Sequence, residues 1–186
     1  SSNAGILCAN AGHTNSSKSF HAGSRSFAPK TEEDIIDGAK KVAELLPGKN
    51  QVQVFKNYGT AMIRFGDIQL EFVGARKESY QKDSRKPSVE NGTLEDDQNR
   101  RDFTINTLAL CLNKDRYGEL LDPFNGISDL EKGIIRTPLD ADITYSDDPL
   151  RMIRAAYFSS KLSLQINEEC LLSMKKNCER IKIVSQ

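Results

Sequence analysis

Three short apolar runs lie between residues 52 and 73, and together they predict a small antiparallel sheet. The runs cover residues 52–55, 60–65 and 68–73. Gly66 and Asp67 separate the last two runs, and a two-residue gap of this kind is typical of a β-hairpin turn. Apolar and polar residues alternate in the third run. This alternation places Glu71 on the polar face, in mid-strand, where a carboxylate is unusual.

A helix is predicted before this sheet and a charged loop after it. Thr31 is a good N-cap with Asp34 three residues later, and apolar residues then repeat at helical spacing as far as Pro47. Residues 74–99 are dense in charge and poor in apolar side chains, which predicts a flexible, solvated loop. Residues 100–112 (RRDFTINTLALCL) show a helical pattern. Its expected core contacts are Phe103, Ile105, Leu108 and Leu112.

The last third of the chain is predicted to be helical. Ser146 is expected to cap a helix that runs to about Leu162, with Leu150 and Ile153 anchored in the core. Asn167 is expected to cap a further helix.

The composition excludes several classes of protein. Among 186 residues, 26 basic side chains balance 26 acidic ones, so the chain is not a uniformly basic nucleic-acid binder. No apolar run approaches the roughly 20 residues that a membrane span needs. The four cysteines form no CxxC pair, which favours free thiols in a reducing cytoplasm.

Residues 1–30 differ from the rest of the sequence. They are rich in Ser, Asn, Gly and Ala and show no sustained period. We expect a degenerate or disordered segment here. The Ser-Asn-Ala at residues 2–4 resembles an expression scar.

Two clusters of charged residues could carry chemistry. Residues 95–97 (Glu-Asp-Asp) precede 100–102 (Arg-Arg-Asp), and residues 147–154 carry an Asp-Asp-x-x-Arg-x-x-Arg pattern. Each cluster alone is explained by a solvated salt-bridge network or a capped helix. Their functional interpretation is that guanidinium groups grip a polyphosphate or hydrogen-bond to the edge of a nucleobase.

In combination, three stretches in this order carry a family resemblance. They are LEDDQNRRDFTINTLAL (94–110), ELLDPFNGISDLEKGIIRT (119–137) and DDPLRMIRAAYF (147–158). The sequence resembles the bacterial tRNA nucleotidyltransferase and poly(A) polymerase family, and more narrowly the class II CCA-adding enzymes. The resemblance extends from about residue 35 to residue 186.

The resemblance implies an α+β fold and a reaction. The expected architecture is a nucleotidyltransferase-type head domain at 31–160, with a small mixed sheet backed by helices, followed at 161–186 by the start of a helical neck. The implied activity is addition of nucleotides from CTP and ATP to RNA 3′ ends, by tRNA CCA addition or poly(A) synthesis, with Mg²⁺ as cofactor. No membrane partner is expected.

The resemblance also assigns roles to individual residues. Glu71 matches a strand-borne catalytic carboxylate that serves as a metal ligand. Arg101 and Arg154 match nucleotide-contacting arginines, and Asp148 and Arg151 match the side chains that pair with CTP or ATP. Supporting positions are Arg76, Arg100, Asp102, Asn106 and Asp147.

Two departures from the family pattern bear on activity. The family's two principal metal-binding aspartates should fall near residues 12–28, which contain no carboxylate. Tyr157 stands where the family usually carries an arginine. The sequence therefore predicts a nucleotidyltransferase head domain with impaired catalysis; the alternative is a non-catalytic remnant that binds nucleotide or RNA.

Overall fold

The computed structural model describes residues 6–9, 17–21, 31–56, 59–81, 84–113 and 116–185. The chain divides into two compact units. Unit 1 comprises Ser1–Lys77, Asn91–Asp97 and Ala109–Leu121, and unit 2 comprises Glu78–Glu90, Gln98–Leu108 and Asp122–Gln186.

Strands and helices alternate irregularly along the chain. The strands are β1 (Ile6–Ala9), β2 (Ser17–His21), β3 (Val52–Phe55), β4 (Thr60–Phe65), β5 (Ile68–Val73), β6 (Arg76–Gln81), β7 (Ser84–Asn91), β8 (Ala109–Cys111), β9 (Leu120–Leu121), β10 (Ile134–Ile135) and β11 (Gln165–Ile166). The α-helices are α1 (Glu32–Leu45), α2 (Leu94–Asn99), α3 (Gly126–Glu131), α4 (Ala141–Asp147), α5 (Leu150–Leu162) and α6 (Glu168–Asn177). There are 3₁₀ segments at Thr104–Asn106 and Cys178–Ser185. This mixture confirms the predicted α+β class.

Unit 1 is built on a seven-stranded mixed sheet in the order β3-β4-β5-β2-β1-β8-β9. The β2–β5 pair is parallel, and the other neighbours are antiparallel. The predicted runs at β3, β4 and β5 are confirmed, with Gly66 at a φ of 57° in the predicted turn. Gly66 suits this position because it has no side chain to oppose a positive φ.

Helix α1 covers one face of this sheet. Thr31 caps the helix through a reciprocal pair of hydrogen bonds with Asp34, which confirms the predicted N-terminus. Apolar side chains of α1 are buried together with those of β4 and β5. They are Ile35, Ala39, Ala43, Ala61, Ile63, Leu70 and Phe72. The alternation along β5 leaves Glu71 half-buried on the opposite face.

Unit 2 has a separate core formed mainly by its helices. Its buried residues are Phe103, Ile105, Ile135, Tyr145, Met152, Ala155, Phe158 and Cys170. The rings of Phe103 and Phe158 meet edge to face with centroids 5.9 Å apart, which is a favoured aromatic geometry. Strands β10 and β11 form a short parallel pair within the same unit. Asn167 caps α6 as predicted, accepting a hydrogen bond from the backbone N–H of Glu169.

The prediction of a loop at 74–99 is wrong. Residues 76–81 and 84–91 form the two-stranded β6–β7 sheet, and α2 follows. Exposed and half-buried residues alternate along β6, as expected of a strand with one covered face. Thr93 and Asp96 also bond each other reciprocally at the start of α2. Polar contacts rather than apolar burial therefore order this segment.

The predicted helix at 100–112 is also wrong. Residues 104–106 form a single 3₁₀ turn and β8 follows, because the Thr104 N–H donates to the carbonyl of Arg136 and β8 pairs with β1. These partners are distant in sequence and override the local helical pattern. Phe103 and Ile105 are buried as expected.

Helix α5 differs from its prediction in its cap and in its buried face. Ser146 lies inside α4, and the Asp148 carboxylate instead accepts a hydrogen bond from the backbone N–H of Leu150. Ile153, predicted in the core, is 46% exposed. The buried face is formed by Arg151, Met152, Ala155 and Phe158. The local sequence does not distinguish these faces because apolar residues lie on both.

The predicted disorder of residues 1–30 falls mainly outside the described residues. Within that range the structure describes strands β1 and β2, which the expectation of a degenerate or disordered segment did not include. Across the described ranges, every helix is too short or too polar to cross a lipid bilayer.

Candidate functional site

Unit 2 brings the Arg-Arg-Asp part of the first predicted charged cluster (100–102) into direct contact with the second cluster (147–154). Arg154 Nε donates to Asp102 Oδ2 at 2.7 Å, and Arg151 Nη2 donates to the backbone carbonyl of Arg100, also at 2.7 Å. The contacting residues are 52 and 51 positions apart in the chain. The start of α5 is therefore fixed against the Arg-Arg-Asp segment by two charge-assisted hydrogen bonds.

Asp102 is a nearly buried carboxylate with a full set of partners. Its Oδ1 accepts hydrogen bonds of 2.9 Å from the Phe103 N–H and from Asn106 Nδ2, while Oδ2 takes Arg154. Arg101 lies beside this group, and its Nη1 donates to the backbone carbonyl of Asn106 at 3.4 Å. Three donors on one buried carboxylate fix its orientation, because the ion requires all of them to compensate for lost hydration.

Two residues of this cluster were missed by sequence reasoning because they lie in the segment predicted as a loop. Tyr80 Oη donates to Glu78 Oε2 at 2.7 Å and accepts from Arg151 Nη2 at 3.2 Å. Glu78 Oε1 accepts from Arg100 Nη1 at 3.0 Å. The signal that could have found them is the period-two pattern of RKESYQ, which places Glu78 and Tyr80 on one face of a strand.

Burial and hydrogen bonding perturb the ionisation of this cluster. Burial is the main cause that raises the pKa of Tyr80 to about 12; its hydrogen bond to Glu78 acts in the same direction, and the charge of Arg151 opposes both. The pKa of Asp147 is also raised by burial, against the attraction of Arg151 and Arg180. Tyr80 therefore stays protonated and able to donate throughout the neutral range.

The N-terminus of α5 presents the predicted Asp and Arg side chains in different environments. Asp148 Oδ1 is used as a cap by the Leu150 N–H at 3.1 Å. Arg151 is 9% exposed, whereas the side chain of Arg154 is 43% exposed and lies over the Phe158 ring at 5.1 Å. Both hydrogens of Arg151 Nη2 are occupied, by Tyr80 and Arg100, which leaves Nη1 and Nε as its remaining donors.

Unit 1 holds Glu71 and Arg76, the other two predicted site residues. Glu71 Oε1 accepts from Gln69 Nε2 at 2.8 Å on the face of β5 that α1 does not cover. The backbone N–H of Arg76 donates to Asp97 Oδ1 at 3.3 Å. In the backbone register of β2 and β5, position 19, a serine, is paired with Glu71.

The residues around Glu71 do not fit a site for two magnesium ions. Within the described ranges, no three His, Cys, Asp or Glu side chains are grouped so that they could hold a metal. Strand β2, next to Glu71, has the sequence SKSFH, and no Asp or Glu precedes residue 32 in the chain. Mg²⁺ binding requires oxygen ligands that usually include one or two carboxylates, and here Glu71 is the one that the resemblance identifies.

Comparison with known sequences identifies one family. A family model described as Poly A polymerase head domain matches residues 28–136. The chain is 35% identical over 153 residues to an A-adding tRNA nucleotidyltransferase of Aquifex aeolicus (strain VF5), covering 80% of this chain and 18% of that protein. It is 38% identical over 132 residues to a CCA-adding enzyme of Lactobacillus helveticus (strain DPC 4571), covering 69% of this chain and 32% of the relative. The chain thus spans less than a third of either relative.

Solved structures show the same fold. The crystal structure of a tRNA nucleotidyltransferase complexed with a primer tRNA and an incoming ATP analog superposes with a TM-score of 0.72 at 25% identity, covering 95% of this chain and 47% of that one. A tRNA-processing enzyme with CTP gives a TM-score of 0.73 at 26% identity, covering 94% of this chain and 43% of the other.

Proposed function

Because the chain belongs to the poly A polymerase head domain family, we propose that it serves as the head domain of a nucleotidyltransferase. The proposed reaction adds nucleotides from CTP and ATP to the 3′ end of tRNA, and poly(A) addition to RNA is the other reaction of this type. Support comes from relatives that are an A-adding tRNA nucleotidyltransferase and a CCA-adding enzyme. One related structure holds a primer tRNA and an ATP analog, and another holds CTP.

The observation that carries this proposal is the contact between α5 and the Arg-Arg-Asp segment. Transfer of a nucleotide depends mainly on positioning and on stabilising phosphate charge. Arginines suit both tasks because the guanidinium is always charged and binds in a fixed fork geometry. The bonds from Arg154 to Asp102 and from Arg151 to Arg100 hold two such groups in one unit.

In the proposed site, some residues contact the nucleotide and others hold those residues in place. Arg101 and Arg154 bind the phosphates or sugar of the nucleotide, and Asp148 and Arg151 form hydrogen bonds to the base edge. The remaining members keep these side chains in place, because they supply the hydrogen bonds and charges around them. They are Arg100, Asp102, Asn106 and Asp147.

A second candidate function, nucleotide or RNA binding without transfer, is favoured by the residues around Glu71. Mg²⁺ is the cofactor that the resemblance implies, and it would neutralise the triphosphate and activate the RNA hydroxyl. The lack of carboxylates before residue 32 leaves Glu71 without the acidic partners that such a pair of ions needs. Binding through unit 2 does not require those carboxylates.

Two assays on the same preparation separate these functions. Calorimetric titration with each of the four ribonucleoside triphosphates tests binding, and we expect CTP and ATP to bind more tightly than GTP and UTP. Incorporation of labelled CTP and ATP into tRNA without its 3′-terminal nucleotides, with Mg²⁺ present, tests transfer. Incorporation supports the full nucleotidyltransferase; selective binding without it supports the second candidate. Absence of both incorporation and selective binding contradicts the nucleotidyltransferase and leaves the second candidate only as RNA binding.

A gain-of-function variant tests the carboxylate argument directly. The double substitution Ser17→Asp with Ser19→Asp would add acidic groups to β2, the strand paired with β5. We expect this variant to gain affinity for Mn²⁺, measured by electron paramagnetic resonance, and a further Glu71→Gln change to remove the gain. Equal Mn²⁺ binding by the parent and the double variant would contradict the argument.

The proposed domain limits and location follow from the same family assignment. We propose a head domain at 31–160 and the start of a helical neck at 161–186. We also propose a cytoplasmic location. Support for it is that Cys111, Cys170 and Cys178 are free thiols, as is usual in a reducing compartment.

A further inference from the structure

We propose that Tyr80, together with Glu78, is a positioning residue that fixes the guanidinium of Arg151 and thereby sets nucleotide selectivity. The inference rests on the proposed function, in which Arg151 contacts the base edge. It adds two residues of β6 to which neither the charged motifs nor the family resemblance gives a role.

The hydrogen-bond directions around Tyr80 are determined by its chemistry. A phenol hydroxyl carries one hydrogen, and Tyr80 Oη donates it to Glu78 Oε2 at 2.7 Å. The Tyr80 oxygen therefore acts only as an acceptor toward Arg151 Nη2, at 3.2 Å. The Arg151 guanidinium carbon also lies 5.8 Å from the Tyr80 ring centroid, within the range of a cation–π contact.

These contacts form a closed ring of hydrogen bonds among four residues: Glu78, Tyr80, Arg151 and Arg100. Glu78 binds both Tyr80 and Arg100, and the backbone carbonyl of Arg100 accepts from the same Arg151 Nη2 at 2.7 Å. The ring joins three segments: β6, the Arg-Arg-Asp segment and α5. Because both hydrogens of Nη2 are fixed from different directions, the plane of the guanidinium has little freedom to rotate.

Burial strengthens this restraint. The side chains of Arg100 and Glu78 are 17% and 9% exposed, and Arg151 is 9% exposed, so water competes weakly for these bonds. Arg151 keeps two further donors, Nη1 and Nε. The hydrogen bonds among the four residues determine the directions in which these donors point. A group that recognises a base edge must be held in this way, since small rotations misalign the hydrogen bonds.

Removing only the Tyr80 hydroxyl should release one side of the guanidinium. Tyr80→Phe keeps the aromatic side chain and its cation–π contact with Arg151. It leaves the Arg100 carbonyl as the one remaining hydrogen-bond acceptor for Arg151 Nη2. We expect the ratio of Kd values for GTP or UTP to those for CTP or ATP to fall roughly 2- to 12-fold, the range for one net hydrogen bond. Tyr117→Phe is the matched control, because Tyr117 is 75% exposed and belongs to unit 1.

The test uses the whole chain and two measurements. Calorimetry gives the four Kd values for the parent, Tyr80→Phe and Tyr117→Phe. The ¹⁵N–¹H signal of Arg151 Nε, recorded without nucleotide, reports guanidinium mobility, and we expect Tyr80→Phe alone to broaden or shift it. Thermal unfolding of each variant separates a change in selectivity from a change in stability.

The outcomes distinguish this inference from the proposed function. An unchanged Arg151 signal in Tyr80→Phe overturns the positioning role, whether or not nucleotides bind. A parent chain without nucleotide selectivity overturns the proposed function and the selectivity part of the inference together. A selective parent whose Kd ratio survives Tyr80→Phe, even with a lower Tm, leaves Tyr80 a purely structural residue and overturns the inference alone.

Discussion

Arg154 Nε donates to Asp102 Oδ2 at 2.7 Å, although the two residues are 52 positions apart. Their burial is unequal, since the Asp102 side chain is 10% exposed and that of Arg154 is 43% exposed. The carboxylate is therefore the member whose removal should affect stability more, and the guanidinium is the member available to a ligand.

Substitution of Asp102 should distinguish these two roles. Asp102→Ala leaves the Phe103 N–H and Asn106 Nδ2 without their acceptor, and we expect it to lower the free energy of unfolding by about 2–4 kcal/mol. Asp102→Asn retains an oxygen acceptor and should cost less. Arg154→Ala should cost less than Asp102→Ala, because it removes only one of the three donors to the carboxylate and the guanidinium itself is largely exposed. Urea denaturation measures all three, and an equal loss in Arg154→Ala and Asp102→Ala would contradict this ranking.

The contacts of Asp102 also show what the sequence could and could not predict. Helix α1 and strands β3 to β5 were predicted closely because their signals are local: a capping pair at Thr31 and Asp34, and alternation with a tight turn at Gly66. Strand β6 was missed because its charged residues are ordered by partners far away in sequence. Arg100, for example, lies 22 positions from Glu78.

The family resemblance located all of the unit 2 cluster except Glu78 and Tyr80, which the structure supplied. Arg151 and Arg154 were identified by their place in a long motif, whereas the alternation along β6 places Tyr80 on the covered face of a strand without indicating a role for it. The faces of α5 were also assigned incorrectly, because a buried arginine at position 151 reverses the usual preference of charged residues for solvent.

Two glycine substitutions test close packing, and we expect them to change the free energy of unfolding in opposite directions. A Cβ on Gly126 would lie 2.5 Å from the Thr104 carbonyl oxygen, so Gly126→Ala requires the backbone to move. We expect a loss of about 1–3 kcal/mol of stability. A Cβ on Gly38, within α1, would meet nothing within 4 Å, so Gly38→Ala should stabilise by about 0.5–1 kcal/mol. Denaturant midpoints check both; the packing argument fails if Gly126→Ala is neutral.

Alkaline conditions should destabilise unit 2. Burial is the main cause that raises the pKa of Tyr80 to about 12, and burial also raises the pKa of Tyr145, whereas unfolded phenols ionise near pH 10. Above about pH 10 the unfolded chain loses protons that the folded chain keeps. The stability is therefore fully present below that pH and is lost as the pH rises through the folded pKa values.

Urea denaturation from about pH 9 to about pH 11.5 measures this loss. Tyr80→Phe should flatten part of the slope, because it removes one of the two phenols whose pKa burial raises. Identical slopes for the parent and Tyr80→Phe would show that Tyr80 titrates alike in the folded and unfolded chains, contrary to this expectation.

The central claim is that Arg151 recognises the base, whereas Arg101 contacts the phosphates or sugar. Lysine substitutions test it because lysine keeps the charge but lacks the planar fork. A bidentate contact to a base is worth about 1–3 kcal/mol of discrimination, so Arg151→Lys should reduce selectivity for CTP and ATP roughly 5- to 150-fold. Arg101→Lys should change all four affinities alike, since phosphate and sugar contacts carry no base information.

The most direct measurement is the set of four nucleoside triphosphate Kd values for the parent, Arg151→Lys and Arg101→Lys, with thermal unfolding as a check on folding. The predicted result is a selectivity ratio that falls in Arg151→Lys and is unchanged in Arg101→Lys. A folded Arg151→Lys variant that discriminates as well as the parent would contradict the assignment of Arg151 to the base edge.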